Sequence, residues 1–315
     1  MSVPGPLVSV LVNNYNYGRF LRDCIDSALN QTYTNTEVIV VDDGSTDDSR
    51  EIVASYGDKV IAVLKENGGQ ASAFNAGFTA CKGQIVCFLD SDDVWLPTKL
   101  EAVVSAAEAA PDAVMLYHAY QRTDAKLRPL GRTLPISFLE GNVAEKVLAS
   151  GGYWPFPPPS AMAFRRSVLA SLIPMPEAPF RICADACLAY CTPLIGHIAA
   201  IRQALCLYRM HGSNVYARMT ADRQQRTDSS LARERYRLIV EGANQVLARL
   251  GRVERFRLQD HIGYVKTAYS ARSGDRTSWT YTSWKLVRMS SEPSIFVRFS
   301  ALTKFWLESL GLQWS

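Results

Sequence analysis

The sequence predicts an α/β protein with a mixed, mostly parallel sheet flanked by helices. Two observations predict it: short apolar runs rich in β-branched residues alternate with amphipathic stretches, and a polar cluster follows each run. Such runs are typical of strands buried on both faces. Strand–helix alternation favours right-handed crossovers, and ligands then bind beyond the carboxyl ends of the strands. The four runs are LVSVLV (7–12), EVIVVD (37–42), KVIAVL (59–64) and QIVCFLD (84–90).

Helices are predicted where apolar residues recur at i, i+3, i+4 and i+7. The first stripe follows the first strand and comprises Leu21, Cys24, Ile25 and Ala28. The second follows the fourth strand and comprises Leu100, Val103, Val104 and Ala107. Residues 197–208 are predicted to form a further strand, and the proline-rich stretch 153–160 a rigid wall or lid.

Composition separates the C-terminal part from the rest. The chain has 315 residues, of which 48% are hydrophobic, enough for a sizeable core. Residues 216–315 hold 17 Lys and Arg against 9 Asp and Glu, whereas the preceding residues carry an acidic excess. We expect a main domain over 1–215 and a helical, basic region over 216–315.

Several protein classes are disfavoured by composition. Seven cysteines do not suggest a secreted disulfide framework, so a reducing compartment and a cytoplasmic location are expected. The longest weakly charged stretch, 186–201, is short for a membrane span and contains Pro193. A net charge of +4 without a recognition motif disfavours nucleic acid as a partner.

An acidic cluster follows the fourth strand at Asp90, Ser91, Asp92 and Asp93. Neighbouring carboxylates repel one another, so a cation or a donor-rich ligand is expected to relieve them. Helix capping before Pro97 is the plainer explanation, but it needs a single carboxylate.

Four motifs follow one another over residues 7–100: VSVLVNNYNYGRFL, EVIVVDDGSTDDS, NGGQASAFNAGF and GQIVCFLDSDDVW. Taken together and in that order, they resemble the family 2 glycosyltransferases of GT-A fold. The resemblance implies a catalytic domain over 1–215, with a nucleotide-sugar-binding half at 7–110 and an acceptor-side half at 111–215. It also implies inverting transfer from a nucleoside-diphosphate sugar, with UDP or dTDP favoured, to a hydroxyl of a saccharide or lipid-linked acceptor. Polysaccharide, glycolipid or glycoconjugate synthesis would be the setting.

The resemblance also implies which residues bind the donor. Asp43 would accept the imide N–H of the base, and Asp92 would contact the ribose. The other implied contacts are Asn13, Tyr15, Asn16, Gly69, Gln70, Asn75 and Ser91. Simpler explanations stay open: an Asx turn for Asp43, packing for Tyr15 and an ordinary turn for Gly69.

By the same resemblance, Asp93 and His211 approach a divalent cation, Mn²⁺ or Mg²⁺, which oxygen ligands suit. Asp185 would be the base that removes the acceptor proton. The family's usual Glu-Asp pair is incomplete here, because Ala184 replaces the first acid. Asp185 could also be a plain N-cap, and His211 a surface histidine.

Two other functions stay open on the sequence. A nucleotidyltransferase would share the fold, although NNYNYGRF (13–20) lacks a glycine- and lysine-rich loop. A non-catalytic nucleotide-sugar-binding or scaffold protein would keep the pocket without the base. The aromatic, basic tail could contact the inner face of a membrane, form a homodimer face or belong to the core, through Trp279, Trp284, Phe296, Phe299 and Trp306.

Overall fold

The computed structural model describes residues 5–152, 156–212, 214 and 229–265. The strands are β1 (Val8–Asn14), β2 (Thr36–Asp43), β3 (Ile61–Lys65), β4 (Ile85–Asp90), β5 (Val94–Trp95), β6 (Ala113–Thr123), β7 (Met162–Arg165) and β8 (His197–Arg209). The helices are α1 (Gly18–Leu29), α2 (Ser49–Ala54), α3 (Gln70–Ala80), α4 (Lys99–Ala109), α5 (Ala144–Ala149), α6 (Arg166–Leu172), α7 (Ala184–Cys191) and α8 (Ser229–Arg249).

These strands form one mixed sheet in the order β3-β2-β1-β4-β7-β6-β8-β5. β1 to β4 pair in parallel, β7 is antiparallel to both β4 and β6, and β6 is parallel to β8. Because β7 is antiparallel to both of its neighbours, β4 and β6 run in the same direction. The carboxyl ends of β1, β2, β4, β6 and β8 therefore share one edge of the sheet, which confirms the predicted mostly parallel architecture.

Helices cover the two faces of the sheet, each with its own apolar cluster. α1 and α4 bury one face, and every residue of the two predicted stripes is buried there. α3, α7 and α8 cover the other face, where Phe74 lies 4.4 Å from Phe88 between ring centroids. The sheet thus sits between two helical layers.

The C-terminal helix shares the core of the main domain. Ile239, Ala243 and Leu247 of α8 are buried in the same cluster as Leu188 of α7. Gly242 permits the close approach, because a Cβ there would lie 2.6 Å from Pro179. The predicted helical character is confirmed for α8. The domain boundary near 215 stays a prediction, and the tail aromatics lie outside the described residues.

Within the described part of the chain, no helix is both long enough and apolar enough to cross a membrane.

The cysteines of α7 have a simple structural explanation. Cys187 and Cys191 are buried in the apolar cluster, as their helical spacing suggests. Among the described residues, no group of three His, Cys, Asp or Glu side chains is arranged to hold a metal.

Candidate active site

The site is built where β1 and β4 end side by side, with Asn13 opposite Asp90 in the register. Burial raises the pKa of Asp90 well above its usual range, and the charges of Asp92 and Asp185 raise it further. Hydrogen bonds from the side chains of Gln70 and Asn13 oppose that shift. Four other polar side chains of the site, those of Asn13, Gln70, Asp92 and Asp185, therefore converge on Asp90 at the end of β4.

Gln70 connects this cluster to the start of α7. Gly69 ends the β3–α3 loop with φ +91°, and a Cβ there would lie 2.4 Å from the carbonyl oxygen of Arg181. That close approach lets the Gln70 backbone N–H donate to the same carbonyl at 2.7 Å. The Gln70 side-chain oxygen accepts the backbone N–H of Ala184 at 2.9 Å. A glycine is required here by both the positive φ and the space.

Asp185 is the second residue of α7 and is half-buried. Its carboxylate accepts backbone N–H groups of Ala186 and of Asp185 itself, as an acid in the first helical turn can. Burial raises the pKa of Asp185 to about 6 despite these bonds. A carboxylate with that pKa is ionised at neutral pH and basic enough to take a proton from a reacting hydroxyl.

Asp92 faces the loop that follows β8. Its Oδ2 lies 3.0 Å from Nε2 of His211 and accepts a hydrogen bond from Nδ2 of Asn214, also at 3.0 Å. Asn214 Nδ2 donates as well to the Arg209 carbonyl at 3.0 Å, and its Oδ1 accepts the His211 backbone N–H. Asn214 is buried, so it fixes the mutual placement of the carboxylate and the imidazole.

Asp93 is fully buried and its two oxygens have protein partners. Oδ2 accepts the hydroxyl of Ser160 at 2.5 Å and Oδ1 accepts the backbone N–H of Arg209 at 2.9 Å. Burial raises the pKa of Asp93 well above its usual range, and the nearby charge of Asp92 adds to the shift. His211 contacts Asp92, whereas the oxygens of Asp93 contact Ser160 and Arg209. The assignment of Asp93 and His211 to a cation stays a prediction.

Asp43 holds the β3–α3 loop. Its Oδ1 accepts the Lys65 amine at 2.7 Å and the Gly68 N–H at 2.9 Å. Its Oδ2 accepts the Gly69 N–H at 2.7 Å and the Asn67 amide at 3.1 Å. A carboxylate offers about four acceptor positions, so protein donors occupy all of them in this buried group.

Two further donor-site candidates lie on the first loop. Asn16 accepts the Thr46 N–H at 2.7 Å on its side-chain oxygen, and its own N–H donates to the Ser45 hydroxyl at 2.9 Å. It thereby connects the loops that follow β1 and β2. Tyr15 is 46% exposed, so its ring is accessible to a ligand.

Asn75 and Ser91 differ in what they contact. Both side-chain atoms of Asn75 are used on the backbone of Met175, with Nδ2 donating at 3.1 Å and Oδ1 accepting at 2.8 Å. The structure therefore does not bring Asn75 into the acidic cluster. The Ser91 hydroxyl is buried and has no hydrogen-bond partner in the described residues.

Three site residues were not assigned a role from sequence: Asp90, Ser160 and Asn214. Asp90 ends the fourth strand, and a strand-end position beside Asn13 was the signal that could have found it. Asn214 stands three residues after His211 in a polar loop, a weaker signal. Ser160 lies in a proline-rich stretch far away in sequence, and nothing there indicates its contact with Asp93.

Asp92 and His211 together could hold a divalent cation. They offer a carboxylate oxygen and an imidazole nitrogen that already face each other. Such ions commonly take only one or two protein ligands and complete their shell with substrate phosphates and water. The two residues fit that arrangement, because a carboxylate oxygen suits Mn²⁺ or Mg²⁺ and a histidine imidazole is a common metal ligand.

A mixed sheet with this acidic carboxyl edge is the framework of a GT-A glycosyltransferase. The solved TarS fragment 1–349 of S. aureus in complex with UDP-GlcNAc shares the fold with a TM-score of 0.58, at 16% identity over 98% of this chain and 93% of that one. A mannosyltransferase, PcManGT of Pyrobaculum calidifontis, in complex with GDP-Man and Mn²⁺, matches with a TM-score of 0.53, at 17% identity over 98% and 86% of the two chains.

Residues 9–173 match the family model described as Glycosyl transferase family 2, and the chain belongs to that family. A glycosyltransferase of Nostoc sp., called uncharacterized, is 36% identical over 274 residues, which are 84% of this chain and 83% of that protein. The β-1,3-glucosyltransferase WfaP of Escherichia coli is 42% identical over 96 residues, or 30% of this chain and 38% of WfaP. The protein is therefore a glycosyltransferase.

Proposed function

We propose that this glycosyltransferase transfers a sugar from a UDP-sugar to an acceptor hydroxyl with inversion at the anomeric carbon, using a divalent cation. The observation that carries the proposal is the position of Asp185. It is a half-buried carboxylate with a pKa of about 6 at the start of α7, close enough to Asp90 for its charge to raise the pKa of that residue. A base and a diphosphate-binding edge are thus supplied together.

Asp185 acts as the general base in this proposal. Because its pKa lies near 6, the carboxylate is ionised at neutral pH and can accept the proton of the attacking hydroxyl. The hydroxyl oxygen forms a bond to the anomeric carbon while the bond from that carbon to the diphosphate oxygen breaks. Attack from the face opposite the departing diphosphate inverts the configuration.

Asp92 and His211 hold the cation in this proposal, and Asp93 supports them. When bound, a divalent cation supplies positive charge next to the diphosphate. Asp93 keeps the β4–β5 turn in place through Ser160 and the backbone of Arg209. This differs from the assignment of Asp93 as a ligand made from sequence, and it rests on which carboxylate faces His211.

UDP is the proposed nucleotide. TarS is solved with UDP-GlcNAc, and the name of WfaP gives UDP-Glc as its donor. The contact of Asp43 with the base stays a prediction. Protein donors saturate the Asp43 carboxylate, so a nucleotide base would have to replace one of them. Two of these donors are backbone N–H groups and one is the side-chain amide of Asn67. The Lys65 amine is the remaining donor.

The acceptor is proposed to be a saccharide hydroxyl, free or lipid-linked, as in polysaccharide or glycolipid synthesis. Support comes from WfaP, whose name gives an α-D-GlcNAc-diphosphoundecaprenol acceptor. The matching region covers 38% of the length of WfaP.

Donor hydrolysis tests the proposal without knowledge of the acceptor, because water can replace it. We expect the purified chain with Mn²⁺ to release UDP from UDP-glucose or UDP-GlcNAc, and NMR of the freshly released sugar to show the β anomer. Asp92→Asn should abolish the UDP release that depends on Mn²⁺. Release of the α anomer would overturn inversion.

The same assay distinguishes the other functions. Pyrophosphate release from UTP and a sugar 1-phosphate, without UDP release, would show a nucleotidyltransferase. Calorimetric binding of UDP and Mn²⁺ without any turnover would show a binding protein that lacks catalysis.

A further inference from the structure

The end of β6 pairs with the segment that follows it to form an antiparallel ribbon, whose residues 122–136 are here called the basic ribbon. Tyr120 and Leu134 exchange both backbone hydrogen bonds, at 2.6 and 2.9 Å. The Leu130 N–H then donates to the Arg122 carbonyl at 2.7 Å. This pairing leaves residues 128–133 exposed along one continuous stretch.

The tip of the ribbon is held by Asp124. Its Oδ1 accepts the backbone N–H groups of Lys126 and Arg128, each at 2.9 Å, and its Oδ2 accepts Nε of Arg128 at 2.6 Å. The tip is therefore a built turn, and the side chains along it are displayed in a fixed arrangement.

The ribbon displays cations without acidic partners. Arg122, Lys126 and Arg132 are exposed and form no ion pair with any described carboxylate. Arg237 in α8 behaves differently, because it pairs with both Glu234 and Glu241, as a solvated helix face commonly does. An unneutralised cluster of this kind is suited to an anionic partner.

Apolar side chains accompany these cations. Leu130 is 43% exposed and Ile136 is 53% exposed, and both belong to the ribbon. Basic side chains beside exposed apolar ones match a phospholipid surface, where the charges meet headgroups and the apolar groups enter the boundary below.

The ribbon is tied to the active site. Thr123 pairs with Arg209 in the β6–β8 register, and the Met210 N–H donates to the Thr123 carbonyl at 2.8 Å. The Arg209 guanidinium donates to the Ala125 carbonyl and to the Asp92 carbonyl, each at 2.8 Å. A surface bound by the ribbon would therefore lie beside the carboxyl edge of the sheet.

We propose that the basic ribbon docks this protein on the surface of an anionic phospholipid bilayer, with the active-site edge beside that surface. The ribbon carries four Lys and Arg side chains against one Asp, so the complementary charge is negative. The docking is independent of which sugar or acceptor the enzyme uses, and it concerns described residues rather than the C-terminal tail.

A pair of charge-matched triple variants of the full chain tests this. One is Arg122→Gln/Lys126→Gln/Arg132→Gln on the ribbon. The control, Lys59→Gln/Lys82→Gln/Lys146→Gln, removes the same charge from exposed lysines, two of which precede β3 and β4 at the opposite edge of the sheet. Binding is measured by co-sedimentation with vesicles of phosphatidylglycerol and phosphatidylcholine, and with phosphatidylcholine alone.

We expect the wild-type chain to bind the anionic vesicles only, more weakly as salt rises. The ribbon variant should lose about 100-fold in affinity while the control stays near wild type. Leu130→Ser, with the charges kept, should bind more weakly than wild type. UDP release without vesicles should stay within about twofold of wild type in both triple variants, so a failure of docking is separable from a failure of the proposed reaction.

Equal losses in the two triple variants would overturn the proposal, because total charge rather than the ribbon would then decide binding. Wild-type binding by the ribbon variant would overturn it too, and would place the contact elsewhere in the chain. If the wild-type chain were retained on an acidic polysaccharide column but did not bind vesicles, the proposal would be overturned, and the partner of the ribbon would be an acidic polymer.

Discussion

The strands β2 and β4 lie on either side of β1, and they end in carboxylates that serve different purposes. At the end of β2, Asp42 accepts hydrogen bonds from Asn14, Ser45 and Arg50, and Asp43 is equally saturated. Burial by itself raises the pKa of Asp42, yet the hydrogen bonds from Ser45 and Arg50 outweigh burial, and the pKa of Asp42 is lowered. At the end of β4, burial and mutual repulsion raise the pKa of Asp90 instead.

The difference teaches how to separate structural carboxylates from functional ones. A buried carboxylate with a full set of donors is stabilised in its ionised form and organises loops. A carboxylate short of donors, next to others of its kind, costs stability until a ligand or proton relieves it. In this chain the β2 end is of the first kind, and the β4 end together with Asp185 is of the second.

The largest expected effect comes from the second kind. Asp185→Asn should lower turnover by about 10²- to 10⁴-fold, because the base is lost while the size of the side chain is kept. Donor binding, measured by calorimetry with UDP and Mn²⁺, should remain near wild type. Wild-type turnover in this variant would remove Asp185 from the mechanism.

The pH profile sharpens the assignment. Since a base works only when ionised, kcat/KM should fall about tenfold per pH unit below the Asp185 pKa of about 6, and level off above it. The pKa of Asp185 is higher in the folded state, about 6, than its ordinary value of 3.8. Ionisation of Asp185 therefore lowers the stability of the fold as the pH rises from 3.8 to about 6. Asp185→Asn should therefore raise stability at neutral pH, by about 1–3 kcal/mol.

The next effect concerns the residue that orients Asp92 and His211. Asn214→Asp replaces the donor to Asp92 by an acceptor, so the Mn²⁺ concentration for half-maximal UDP release should rise about 10- to 100-fold. Asn214→Ser keeps a donor and should fall between that variant and wild type. If only thermal stability changed, with the Mn²⁺ dependence untouched, Asn214 would be structural alone.

The smallest expected effect, and the one that tests the first kind, is on stability. Asp43→Asn removes an acceptor from buried loop N–H groups and should lower the free energy of unfolding by about 1–3 kcal/mol. Urea unfolding measures it, with the exposed Asp112→Asn as a control. Unchanged stability together with a loss of UDP affinity would instead indicate that Asp43 binds the nucleotide base.

The sequence predicts the β1–β4 half well because its strands are continuous apolar runs with polar ends. Observed bounds such as Thr36–Asp43 and Ile85–Asp90 lie within a few residues of the expected ones. The strand β8 was also expected. β7 has four residues and β5 has two, so neither carries enough pattern to be recognised in isolation.

Site assignment from sequence reaches as far as residue type and strand end. The convergence of Asn13, Gln70 and Asp185 on Asp90 follows from strand and helix ends meeting at one edge. Which of two adjacent carboxylates faces His211 does not follow, because a single residue of turn geometry decides it. The saturation of Asp43 also depends on a loop that is distant in sequence.

The packing of α8 on α7 has a practical consequence. The helix that begins with Asp185 relies on Ala243 and Leu247 to complete its buried side, and its other end is fastened by a 2.8 Å contact between the Tyr190 hydroxyl and His261. Cutting the chain after residue 215 would strip that backing away and leave apolar surface bare. Efforts to isolate the catalytic unit should therefore keep the chain at least through His261.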